Sequence, residues 1–178
     1  MKKFLSFLLV IFVWLYSSES TAGKGVYQTP KAFISASLGE NSQVKMLWLT
    51  KEDKAVVAEI LSHKFNRMRI RYWQRDEDSV WFLDEIGKEK PITIGVHINS
   101  NQGKQQIRKL KVLTYRESRG DEVRHDFYAK QFINASLDSN KQLTQGIDGI
   151  TGATLSVRAT TKVARLALWL NAKALASQ

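Results

Sequence analysis

The sequence predicts an α+β fold, an antiparallel β meander packed with helices, and three observations carry that expectation. Two stretches, Arg67 to Trp73 and Ile92 to Asn99, alternate apolar and polar residues with the period of a half-buried strand, and each is followed by a polar turn and a second apolar run. Two other stretches, after Thr50 and after Thr154, space their apolar residues as a helix does. The 178 residues include 43% hydrophobic and 25% charged residues with only two prolines, a composition that supports a packed core and excludes disorder for the bulk of the chain.

In chain order, Met1-Lys2-Lys3 followed by the apolar run Phe4 to Tyr16 and the small residues Ser20-Thr21-Ala22 reads as an export signal cleaved after Ala22. The apolar run is shorter than the about 20 residues a membrane helix needs, so the mature protein is expected to be periplasmic and not membrane-spanning. Residues 23–45 give the weakest local signal, with Gly39 closing a short helix. Thr50 is an N-cap before the acidic pair Glu52-Asp53, and Val56, Val57, Ile60 and Leu61 mark a helix of about three turns. Arg67, Arg69 and Arg71 alternate with Met68, Ile70 and Tyr72. Asp76-Glu77-Asp78 then turns the chain into Val80-Trp81-Phe82-Leu83, a hairpin. Ile92, Ile94, Val96 and Ile98 form the next strand, Ser100 to Gly103 the turn, and Ile107 to Tyr115 its return. Asp121 to Ile133 is expected to be one helix with Val123, Phe127, Tyr128 and Phe132 near one face. The last helix begins near Thr154, burying Val163, Leu166, Ala167 and Leu170 and setting Arg158, Lys162 and Arg165 on the opposite side. These elements divide the chain into a signal over 1–22, a helix-and-hairpin extension over 23–90 and a core over 91–178.

The charge and residue inventory narrows the function. Cysteine is absent, which excludes disulfides, thiolate-held clusters, Cys-type zinc sites and a cysteine nucleophile. His63, His97 and His125 are far apart and lack metal-ligand spacing. Lys and Arg number 27 against 17 Asp and Glu; removal of residues 1–22 leaves 25 against 16, so the mature chain still favours anionic partners. The basic residues are dispersed rather than blocked, and with an export signal this disfavours nucleic acid. Arg67, Arg69 and Arg71 read either as the solvated face of a strand or as a dock for an acidic redox partner. Trp48, Trp73 and Trp81 read as packing residues, unless one of them covers a bound ring.

The most specific signal is Gly146-Ile147-Asp148-Gly149-Ile150-Thr151-Gly152-Ala153-Thr154, placed just before the last helix. Small residues there let the backbone approach a ligand, and free N–H groups with the helix dipole favour an anion; the bland alternative is an Asp-Gly turn before a Thr-capped helix. Asp148 to Thr154 resembles the Asp-x-x-(Ser/Thr)-Gly-Ala-(Ser/Thr) motif of the FMN-binding domain family. That family includes the flavin-bearing small subunits of the sodium-pumping NADH:quinone reductase and of Rnf-type complexes, and stand-alone exported relatives. The likeness extends from about Ile92 to Leu170. Within it Tyr115 to Gly120 resembles the family's Glu-(Ser/Thr)-x-Gly turn, shorter here than the glycine-rich form of the ion-pumping complexes.

The resemblance implies FMN joined through its phosphate to Thr154 by a flavin transferase. Asp148, Gly149, Thr151, Gly152 and Ala153 would form the flavin loop, with Glu117 and Ser118 as flavin neighbours. It implies an exported electron-transfer flavoprotein whose partner is a redox protein such as a cytochrome or a membrane reductase. Two alternatives stay open: a non-redox basic module that binds an anionic partner, and a flavin reductase with its own small substrate.

Overall fold

A computed structural model describes residues 25–177; the expected export signal lies outside the described residues. Five strands, β1 (Gln43–Trp48), β2 (Arg69–Arg75), β3 (Asp78–Ile86), β4 (Pro91–Asn101) and β5 (Lys104–Thr114), form one antiparallel sheet in sequence order. The sheet therefore draws strands from both sides of position 90. The helices are α1 (Pro30–Leu38), α2 (Lys51–Leu61), the single turn α3 (Asp126–Ala129) and the long α4 (Thr154–Ala176). The α+β class and the antiparallel meander are as the periodicities predict.

The strands' two faces are covered differently. Trp81, Leu83, Ile92, Ile94, Val96, Ile98 and Val112 face the main core, where they meet Val163, Leu166, Ala167 and Leu170 of α4 and Val57, Ile60 and Leu61 of α2. Trp81 stacks on Tyr72 with ring centroids 4.4 Å apart. The other face carries a smaller cluster of Phe33, Leu38, Val80 and Leu113 beneath α1. Gly95 makes that possible: a Cβ there would lie 3.1 Å from the Phe33 ring.

Four local expectations are corrected. The strand β1 falls where little was expected, and Trp48 at its end is 62% exposed rather than a packing residue. β2 starts at Arg69, which leaves Met68 exposed instead of on the buried face. The β4–β5 turn is only Gln102-Gly103, because Ser100 and Asn101 still pair with Gln105 and Lys104. Asp121 to Ile133 is not one helix. A 3-10 turn (Asp121–Arg124), α3 and a second 3-10 turn (Lys130–Phe132) succeed one another, since His125 is extended at ψ 150°. That break lets Val123, Tyr128 and Phe132 all enter the core while Phe127 points to solvent.

Helix α4 starts at Thr154 as expected, but its basic residues do not share a free face. Lys162 Nζ donates to the Leu61 carbonyl and lies 3.6 Å from the buried Glu85 carboxylate, while Arg165 Nε donates to the Lys141 carbonyl at 2.6 Å. Only Arg158 of the three is exposed; α2 and β3 hold Lys162, and the loop around Lys141 holds Arg165. Further along, Asn171 accepts from Ser79 Oγ at 2.7 Å and donates to Ser100 Oγ at 2.8 Å and Gln105 Oε1 at 3.0 Å. A buried amide fixed at these groups sets the axial position of α4 on the sheet.

Candidate functional site

Three separate segments meet at the start of α4: the β3–β4 turn, the stretch after β5, and the 146–153 loop. Between them lies a cleft of about 210 Å³ lined by Lys88, Glu117, Arg119 and residues 152–156. Two larger clefts, of about 430 and 370 Å³, lie elsewhere on the described surface, and neither includes a helix start.

The helix begins without a cap of its own. Ala153 occupies the N-cap position with no side-chain bond, the first turn has no acidic residue, and the first helical bond runs from Val157 N to the Ala153 carbonyl at 2.9 Å. The amides of Thr154, Leu155 and Ser156 are thus left without intrahelical partners, and the dipole's positive end faces the cleft. Gly152 precedes them at φ 86°, a left-handed conformation that a side chain would strain. Thr154 is exposed, and its hydroxyl makes no hydrogen bond among the described residues.

The neighbouring segments are held by specific bonds. Glu117 Oε1 accepts from the backbone N–H of Lys88, Glu89 and Lys90 at 2.5, 2.6 and 2.8 Å. Burial alone would push the Glu117 carboxyl up, but these three donors outweigh it and hold it below the ordinary carboxylate value. Glu117 therefore fixes the turn that carries Lys88. Tyr115 OH bonds the Arg119 carbonyl and meets buried Ser156 Oγ at 2.8 Å, so the stretch carrying Arg119 is tied to the first turn of α4. A Cβ on Gly120 would come within 2.8 Å of Ser156 Oγ and 2.9 Å of Tyr115 OH, so this join requires glycine. Burial raises the Tyr115 phenol above its usual value and keeps it a neutral donor.

Of the residues singled out in the sequence, Gly152, Ala153, Thr154 and Glu117 are brought together in the cleft. Asp148, Gly149 and Thr151 lie upstream on the exposed loop, where Asp148 N donates to Gln131 Oε1 at 2.7 Å, and Ser118 is exposed without lining the cleft. None of Trp48, Trp73 and Trp81 lines it. Lys162, expected on the outer side of the last helix, is engaged with Glu85 and Leu61 and does not line the cleft. Lys88 and Arg119 are the cations that do line the cleft. Sequence reasoning missed both, and the only hint was the Lys88-Glu89-Lys90 run between two strands.

The arrangement suits the phosphate end of a flavin mononucleotide: an open helix start, two cations and no acidic residue in the helix's first turn. A cleft this small takes a phosphate and part of a chain, which leaves a ring system lying against the surface. Residues 87–168 match the family model for the FMN-binding domain, a span that begins at the β3–β4 turn and ends inside α4, and so contains every residue lining the cleft. No curated protein and no solved structure matches the chain.

Proposed function

Residues 87–168 belong to the FMN-binding domain family, and from that premise we propose that the protein is an exported electron-transfer flavoprotein whose FMN is esterified through its phosphate to Thr154 Oγ1. The observation that carries this reading is the Thr154 hydroxyl, exposed and without an internal partner at an uncapped helix start flanked by Lys88 and Arg119. The bound flavin supplies a ring that accepts and passes electrons; the polypeptide tethers and orients it. Lys88, Arg119 and the first-turn amides offset the phosphate charge, while Glu117 and the Tyr115–Ser156 bond hold the three segments around it.

Attachment needs outside help. The nearest carboxylate in the cleft, Glu117, has Oε1 occupied by three amides, and nothing among the described residues contacts the Thr154 hydroxyl as a base. A flavin transferase would supply the base and an activated donor in which FMN is held by a phosphoanhydride. The P–O bond to Thr154 Oγ1 would form as the anhydride P–O bond breaks, the donor's second phosphate would leave with the rest of the donor, and the hydroxyl proton would pass to the transferase's base. Outside the cytoplasm such a tether keeps the cofactor from being lost by dilution. Among the described residues no helix is long and apolar enough to cross a membrane. We place the redox partner, a cytochrome or membrane reductase, outside the cytoplasm, met by a chain of net positive charge.

Coexpression with a flavin transferase, followed by intact mass spectrometry, tests the reading. Protein carrying one FMN that survives denaturation, and loses it in Thr154→Ala but not in Thr154→Ser, is the expected result. A bare polypeptide from the native host would overturn it and favour the non-redox binding module, whereas turnover of a small substrate without a protein acceptor would favour the reductase. Sequencing of the mature N-terminus checks export: it should begin at Gly23.

A further inference from the structure

The two edges of the sheet are finished in opposite ways. At β5 the outer edge is occupied. Val26 bridges Thr114, Tyr115 N donates to the Gly25 carbonyl at 2.8 Å, Tyr27 N donates to the Leu113 carbonyl at 2.8 Å, and Ile107 exchanges bonds of 2.8 and 2.9 Å with Asn134 and Ala135. At β1, pairing among the described residues is with β2 alone. Leu49 N donates to the Met68 carbonyl, which fixes the parity of the ladder: the odd-numbered residues of this segment turn their backbone groups to β2. The N–H and C=O groups of Val44, Met46 and Trp48 face the other way, off the sheet.

The same three residues point their side chains to the face opposite the main core, and Val44 and Trp48 are 59% and 62% exposed. Across the ladder Trp48 pairs with Arg69, whose guanidinium lies 5.7 Å from the indole centroid, and Met46 pairs with Arg71. Arg67 has Asp84 at 3.6 Å; Arg69 and Arg71 have no acidic partner among the described residues. Exposed edge strands of this kind are usually blunted or covered, because they template pairing.

We propose that the β1 edge, with the arginine-lined face beside it, docks an extended acidic segment of a protein partner as a sixth strand. Tryptophan, methionine and arginine are the residues enriched at the centre of protein interfaces, and lysine is depleted there. A lipid surface fits less well, since it offers nothing to bond the outward N–H and C=O groups of Val44, Met46 and Trp48. A second copy of this chain also fits less well, because it would bring two arginine-bearing faces together with no carboxylate between them. An added strand supplies the backbone bonds, and glutamates on its Trp48 side are long enough to reach Arg69 and Arg71 across β1. The site is separate from the cleft at Thr154, and the proposal does not depend on the flavin.

The test uses flavin-free mature protein and a labelled synthetic peptide of alternating Glu and Val, with a Lys-for-Glu peptide as control. The Glu peptide should bind, slow hydrogen exchange at the amides of Val44, Met46 and Trp48, and weaken by about tenfold or more in Arg69→Glu/Arg71→Glu. Both arginines are exposed, so the double variant is expected to fold; Trp48→Ala should weaken binding without changing its salt dependence. Equal binding of the Lys peptide, or unchanged binding by the double variant, overturns the proposal. So does cosedimentation with phosphatidylglycerol vesicles in the absence of peptide binding, or a dimer in solution that Trp48→Glu dissolves.

Discussion

Helices α2 and α4 lie against each other in one core, yet their first turns are built to opposite plans. In α2, Thr50 Oγ1 accepts from Asp53 N at 3.2 Å and Asp53 Oδ2 accepts from Thr50 N at 2.9 Å, a reciprocal capping box with Glu52 adding a second negative charge. In α4 the cap is an alanine, the first turn carries no acid, and the residue at the position equivalent to Asp53 is Ser156, whose hydroxyl turns sideways to Tyr115. One helix neutralises its own positive end; the other leaves that end to something from outside. The lesson is that an open helix start is informative when the same molecule shows it can close one.

Breaking that contrast at its most extreme point is Thr154→Ala. Attached flavin should fall to none, while the melting temperature of the flavin-free protein stays within about 1 °C, since the exposed hydroxyl bonds nothing within the fold. The matching change in α2, Asp53→Ala, should do the reverse. It removes the capping box and the 3.0 Å contact with Lys173 and should cost about 2 kcal/mol in urea unfolding, with flavin attachment unaffected.

The contrast also has a pH window. Burial would raise the Asp53 carboxyl, but the Thr50 N–H and Lys173 prevail and hold it below its ordinary 3.8. A carboxyl lowered by folding stabilises above its unfolded value and loses that contribution as pH falls through the folded one. The stability gap between the native protein and Asp53→Ala should therefore be full at pH 6 and narrow below 3.8, as read by unfolding curves at several pH values. The smallest effect comes from giving α4 what α2 has. Leu155→Glu places an acid where α2 has Glu52 and should stabilise the fold by about 0.5 kcal/mol while slowing flavin attachment, measured as the flavinylated fraction over time.

Much of this frame is legible from local chemistry. The Thr50 cap with its acidic turn, the alternation in Ile92 to Ile98 and the small-residue run ending at Thr154 each report a structure made mainly by neighbours in sequence. What stays hidden is made by distant ones. Strand β1 lacks apolar–polar alternation in its sequence because, as an edge with one face in solvent, it buries Leu47 while leaving the apolar Val44, Met46 and Trp48 exposed. Residues 121–133 have helical composition, but the backbone is extended at His125 and restarts, and Tyr128 OH then meets Thr160 Oγ1 at 2.6 Å, a contact made by a residue 32 positions away. Lys88 and Arg119 are ordinary surface cations in sequence. Only Glu117, gripping the β3–β4 turn, and Tyr115, tied to Ser156, carry them to the mouth of α4. Lys162 is the converse: its helical position suggested a solvated face, but buried Glu85 on β3 and the Leu61 carbonyl at the end of α2 hold it inward.

The fastening of Gly25 to Tyr115 also bears on maturation. A peptidase cutting after Ala22 would leave only Gly23 and Lys24 ahead of the anchored residue, a stub that spans at most about 7 Å. A cut beyond Gly25 would instead remove the carbonyl that accepts from Tyr115 N and open the margin of β5.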